Sequence, residues 1–104
     1  MAPSDEPVAA LAPHTRPRLA ARARVQQDKV SGEPALLYPE GVLVLNPTGH
    51  AIVELCDGQR TVAEIAAELG ARFNAPVDQV LPDVLDYLQR LYDKRLLDIV
   101  NAHS

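Results

Sequence analysis

The chain has 104 residues, of which 47% are hydrophobic, with one Cys, one Phe, three Tyr, no Trp and a formal net charge of −4. That length allows one small domain with an aliphatic core; the single Cys excludes an internal disulfide and a multi-cysteine metal centre, and few aromatic platforms remain for stacking nucleic-acid bases. No apolar run approaches the roughly 20 residues of a membrane span, and Pro3, Asp5, Glu6 and Pro7 break up any signal-peptide core, so a cytoplasmic protein without membrane association is expected.

Residues 1–22 mix Pro, Ala and Arg without a helical or alternating period, which predicts a flexible arm ahead of a domain spanning residues 23–100. From Arg24 to Val30 a weak alternation predicts a strand, ended by Ser31-Gly32-Glu33-Pro34. The apolar runs Ala35-Leu36-Leu37-Tyr38 and Val42-Leu43-Val44-Leu45 flank Pro39-Glu40-Gly41, with Pro and Gly at the turn positions each favours; this reads as a hairpin.

Three helices follow. Asn46 can cap a helix whose first residue is Pro47, where a missing amide costs nothing, and Asp57-Gly58 stops it after about Cys56. Thr61 and Glu64 form a capping box for a second helix, about Val62 to Phe73, with Val62, Ile65, Ala66, Leu69 and Phe73 on its apolar face. Asn74-Ala75-Pro76 ends it. The third helix is expected from a cap at Asp78 to about Arg95, with a tight or bent start at Pro82. Its stripe of Val80, Leu81, Val84, Leu85, Leu88, Leu91 and Tyr92, widened by Tyr87, exceeds what one neighbouring helix covers. Leu96 to Val100 form a short apolar tail that docks on the core, and residues 101–104 are expected to fray.

Strands followed by helices give an α+β domain, a small winged helix-turn-helix-like fold with a three-stranded antiparallel sheet followed by three helices. Such a sheet has an edge that can accept an extended peptide as an added strand. DNA binding by a winged-helix regulator is the alternative. Charge weighs against it, because residues 31–104 hold eleven acidic and five basic side chains, and the third helix carries Asp78, Asp83, Asp86 and Asp93. The arginines Arg16, Arg18, Arg22 and Arg24 are too dispersed to reverse that field and read as a solvated tail.

No residues assemble a catalytic or metal constellation. His14, His50 and His103 are far apart and lack ligand spacing; Cys56 sits on an apolar helix side; Glu54, Asp57, Glu64 and Glu68 fall at helix ends or on solvent faces. Neither an enzyme nor a cofactor-bearing protein is expected.

Leu36-Leu37-Tyr38-Pro39-Glu40-Gly41, Leu45-Asn46-Pro47-Thr48-Gly49 and Cys56-Asp57-Gly58-Gln59-Arg60-Thr61-Val62, followed by Glu64-Ile65, resemble the PqqD family of pyrroloquinoline quinone biosynthesis. The resemblance runs from about Arg24 to Ile99. It implies a recognition domain for a ribosomally made peptide, one that binds the precursor PqqA and presents it to the radical S-adenosylmethionine enzyme PqqE without catalysing a step. It further implies capture of the peptide beside Val42, Leu43, Val44 and Leu45, in a groove shared with the Val84, Tyr87, Leu88 and Leu91 side of the third helix. Both a monomer and a homodimer that exchanges strands through the hinge before Pro34 are compatible with the sequence.

Overall fold

The computed structural model describes residues 11–100, which form an α+β domain. In chain order the elements are β1 Arg16–Leu19, β2 Arg24–Gln27, β3 Pro34–Tyr38, β4 Gly41–Val44, α1 Pro47–Glu54, α2 Val62–Phe73, α3 Val77–Asp93 and β5 Leu97–Val100. The strands make two antiparallel sheets: β2-β3-β4, and β1 paired with β5. The helices pack mainly through α2 against α3, around a core that includes Leu36, Leu45, Ile52, Ile65, Leu69, Leu88, Leu91 and Leu96.

The expected arm of residues 1–22 is corrected over its second half, and residues 1–10 lie outside the described residues. Strand β1 runs opposite β5 with Arg16 facing Val100 and Leu19 facing Leu97. On its other side the Leu19 amide donates to the Cys56 carbonyl and Gly58 donates to the Pro17 carbonyl. The first amides of α2, which have no partner within the helix, donate to this segment as well: Val62 to the Thr15 carbonyl and Ala63 to that of Pro13. Proline lacks an N–H but keeps a strong acceptor, so a Pro-rich stretch serves here as a row of carbonyls.

Local signals produced the helix starts they encode. Asn46 caps α1 by accepting from the Gly49 amide at 2.6 Å, with Pro47 first in the helix. The capping box of α2 is complete, Glu64 N–H donating to Thr61 Oγ1 and Thr61 N–H to Glu64 Oε1. Helix α1 ends at Glu54, two residues short of the expected Cys56. Asp78 is not a cap: α3 starts one residue earlier, after Pro76, with no side-chain cap, and Pro82 sits inside it.

The C-terminal end of α3 closes with a six-to-one bond from Leu96 N–H to the Leu91 carbonyl and a five-to-two bond from Arg95 N–H to that of Tyr92. Arg95 adopts a left-handed φ of 63°. Leu96 and Leu91 are both buried beneath that turn, which sends the chain back as β5 rather than as a loosely docked tail. The expected first strand also shortens, because from Asp28 the chain turns: the Asp28 carboxylate accepts from both the amide and the hydroxyl of Ser31. Residues 101–104 lie outside the described residues.

Candidate functional site

The β3–β4 hairpin fixes which backbone groups of β4 are free. Leu45 N–H donates to the Pro34 carbonyl at 2.9 Å, so that pair is hydrogen-bonded. In an antiparallel ladder bonded and non-bonded pairs alternate, which makes Leu36–Leu43 and Tyr38–Gly41 bonded and leaves Ala35–Val44 and Leu37–Val42 non-bonded. The amides and carbonyls of Val42 and Val44 therefore point away from β3, at the open edge of the sheet. Their side chains share one face and stay 59% and 52% exposed, while Leu43 and Leu45 turn toward the core.

Two residues beyond Val44, the chain enters a cavity of about 320 Å³ between the start of α1, the end of α2 and the first half of α3. Asn46, Thr48, Gly49 and Ile52 form one wall, Leu69 and Phe73 another, and Val80, Asp83, Val84 and Tyr87 the third. Partial burial pushes the Tyr87 phenol above its ordinary pKa, more than the Arg90 guanidinium lowers it, so the ring is a neutral hydrogen-bonding wall at physiological pH.

The expected site residues separate into two groups. Val42, Val44 and Tyr87 are accessible at the edge or in the cavity, and Leu43 is half-buried. Leu45, Val84, Leu88 and Leu91 are fully buried core residues, which corrects their expected place on an open groove face; of these Val84 alone reaches the cavity lining. On α3 the reason is that both α2 and β5 pack against it, covering more of the stripe than one neighbouring helix would, while Leu45 follows β4 into the core. Conversely Phe73, expected in the core, is 48% exposed, because α2 stops at Asn74 in a left-handed conformation and its last side chain overhangs the cavity.

Sequence reasoning gave no site role to Asn46, Thr48, Gly49, Ile52, Phe73, Val80 or Asp83. Their signal was present only in part: Asp83 precedes Val84 and lies four residues before Tyr87 on one helix side. A second depression, about 690 Å³, is lined by Arg22, Asp93, Arg95 and Asp98 with Ala20, Ala21, Tyr92 and Leu97, and carries charges of both signs. Among the described residues no three His, Cys, Asp or Glu side chains gather as metal ligands, and no helix is long and apolar enough to cross a membrane.

Fold and site define a class of small α+β domains in which a strand with no further partner among the described residues leads, two residues on, to a largely apolar cavity. Residues 33–97 match the model of the family described as coenzyme PQQ synthesis protein D (PqqD), and the chain belongs to that family. A PqqA binding protein of Rhizobium meliloti is 37% identical over 80% of this chain and 85% of its own length. One from Xanthomonas axonopodis pv. citri is 40% identical over 80% and 90%.

Solved structures agree. The solution structure of the PqqD truncation of PqqCD from Methylobacterium extorquens, a functional stand-alone recognition element for ribosomally synthesised and modified peptides, superposes with a TM-score of 0.73. It is 33% identical to this chain, covering 86% of it and 95% of its own. The crystal structure of PqqD from Xanthomonas campestris gives 0.54 at 34% identity, covering 77% and 89%.

Proposed function

We propose that this chain binds the precursor peptide PqqA as an added strand on β4 and presents it to the radical S-adenosylmethionine enzyme PqqE in the cytoplasm, catalysing no step itself. One observation carries the reading: Val42 and Val44 turn their backbone groups outward on a strand that leads, two residues on, to the cavity wall at Asn46, in a chain whose relatives are PqqA binding proteins. Strand addition supplies main-chain hydrogen bonds, and side-chain pockets supply selectivity. The acidic face of α3, with Asp78, Asp83, Asp86 and Asp93, weighs against a DNA-binding role.

The edge geometry makes the test clean. Val44→Pro removes an amide that faces away from β3 and serves no bond to another described residue, and proline is tolerated at such edge positions, so the variant folds. Titration calorimetry with PqqA is expected to show affinity reduced about tenfold or more, the loss of a main-chain bond plus a clash of the ring with an added strand. Unchanged affinity in the folded variant rules out strand addition at β4. Adding PqqE then reads presentation separately: a complex of all three components is expected by size-exclusion chromatography.

A further inference from the structure

Resting on the reading that PqqA docks along β4, the cavity's composition narrows what part of a peptide it takes. Ile52, Leu69, Phe73, Val80, Val84 and Tyr87 make it mostly apolar, and its volume of about 320 Å³ stands at the lower end of the roughly 300–1,000 Å³ typical of ligand sites. That is room for one large side chain and not for a folded segment. Yet one lining residue carries a formal charge, and it is Asp83.

No other described residue pairs with that carboxylate, which stands exposed at the rim of the cavity. Asp86 pairs with Arg90 at 3.1 Å, and Asp93 accepts from Gln89 at 3.0 Å. Asp78 occupies the first turn of α3, where the helix dipole favours an anion. Asp83 lies beyond that turn, its neighbours three and four residues away are Gln79, Val80, Asp86 and Tyr87, and it makes no hydrogen bond or ion pair with another described residue. A docked peptide that covers this exposed carboxylate takes water from it, which disfavours a flanking apolar or anionic side chain and favours a flanking cation.

We propose that Asp83 is a specificity-determining residue: the cavity takes one large apolar or aromatic side chain of the docked peptide, and Asp83 pairs with a lysine or arginine within two positions of that anchor. A strand advances about 3.3 Å per residue, so a long basic side chain at that separation reaches back over the rim.

Calorimetric titration of PqqA into wild type, Asp83→Asn and Asp83→Lys tests it, together with PqqA peptides in which one Lys or Arg at a time becomes Glu. Asp83 is exposed, so both variants fold, which their amide spectra check. Asp83→Asn is expected to weaken binding about two- to fivefold and Asp83→Lys about tenfold, more steeply at low salt. One charge-reversed peptide is expected to bind Asp83→Lys more tightly than it binds wild type. Equal affinity of Asp83→Lys and wild type for PqqA overturns the inference, and so does a uniform loss that no reversed peptide rescues. Both results leave the PqqA reading standing, whereas failure of the wild type to bind PqqA overturns that reading and this inference with it.

Discussion

The phenolic oxygen of Tyr87 on α3 lies 2.5 Å from the point where a Cβ on Gly49 of α1 would stand, and the ring's Cζ lies 2.8 Å from it. The same absent methyl would also meet Asn46 Oδ1 at 3.0 Å, the oxygen that caps α1. Helix cap, glycine and aromatic wall thus share one spot at the mouth of the cavity. Glycine is there for close approach, since its φ is ordinary and a helix would otherwise favour Ala.

Gly49→Ala sets those two effects against each other. Helix propensity favours the variant by up to about 1 kcal/mol, while the new methyl forces the Tyr87 ring from its seat. Stability measured by urea unfolding is expected to stay within about 1 kcal/mol of wild type, and PqqA affinity to fall about fivefold or more because a wall of the cavity has moved. Wild-type affinity would show that the peptide does not use the Tyr87 wall.

Gly70→Ala carries the opposite expectation from the usual gain of alanine in a helix. A Cβ at Gly70 would stand 2.7 Å from the Ala75 carbonyl oxygen, a backbone atom, and the Gly70 carbonyl accepts from the amides of both Asn74 and Ala75. The turn cannot open without losing those bonds. A destabilisation of about 1–3 kcal/mol is expected in urea unfolding, and a stabilised variant contradicts this account.

What the sequence shows and hides follows from how local each signal is. Asn46-Pro47 and Thr61 with Glu64 specify helix starts through contacts within three residues, and the β3–β4 hairpin is fixed by Pro39-Glu40; all were legible. Strand β1 was not, because Pro17 breaks its alternation and its partners, Leu97–Val100 and Cys56–Gly58, lie far along the chain. Helical periodicity reported that α3 is apolar on a wide stripe, but the depth of Leu88 and Leu91 under α2 depends on where the two helices cross. The free edge of β4 was legible as a run of Val and Leu, whereas the outward direction of Val42 and Val44 needed the ladder register.

Beginning the chain at residue 23, where composition places the domain boundary, is expected to be costly. The truncation removes β1, bares one side of β5 and takes away the carbonyls that pair with the Val62 and Ala63 amides. With each lost bond worth about 1 kcal/mol, and the burial of Pro17 and Ala20 lost too, a drop of about 3 kcal/mol or more is expected. For a domain of marginal stability that is a large share, visible as a lower unfolding midpoint or collapsed amide dispersion. A truncated chain as stable as the full one would show that β1 is only an ornament of the fold.

Cys56 offers a probe of the same junction. Its thiol is buried, donates to the Ile52 carbonyl at 3.3 Å, and its own carbonyl accepts from Leu19 of β1. Burial, with a smaller contribution from the Asp57 carboxylate, pushes the thiol up to about 12. At pH 8 the folded protein therefore holds about one thiolate in ten thousand, against about a tenth in the unfolded chain, whose thiol starts from 9.0. Iodoacetamide is expected to alkylate native Cys56 about a thousandfold more slowly than in urea, by mass spectrometry, with any faster route reporting local opening. The raised value also fixes the sign of the pH effect: this contribution to stability is complete below about pH 9 and declines as pH rises toward 12, because the unfolded chain ionises first. Cys56→Ala removes that alkaline decline while leaving β1 paired, so the difference between the two pH–stability curves isolates the thiol.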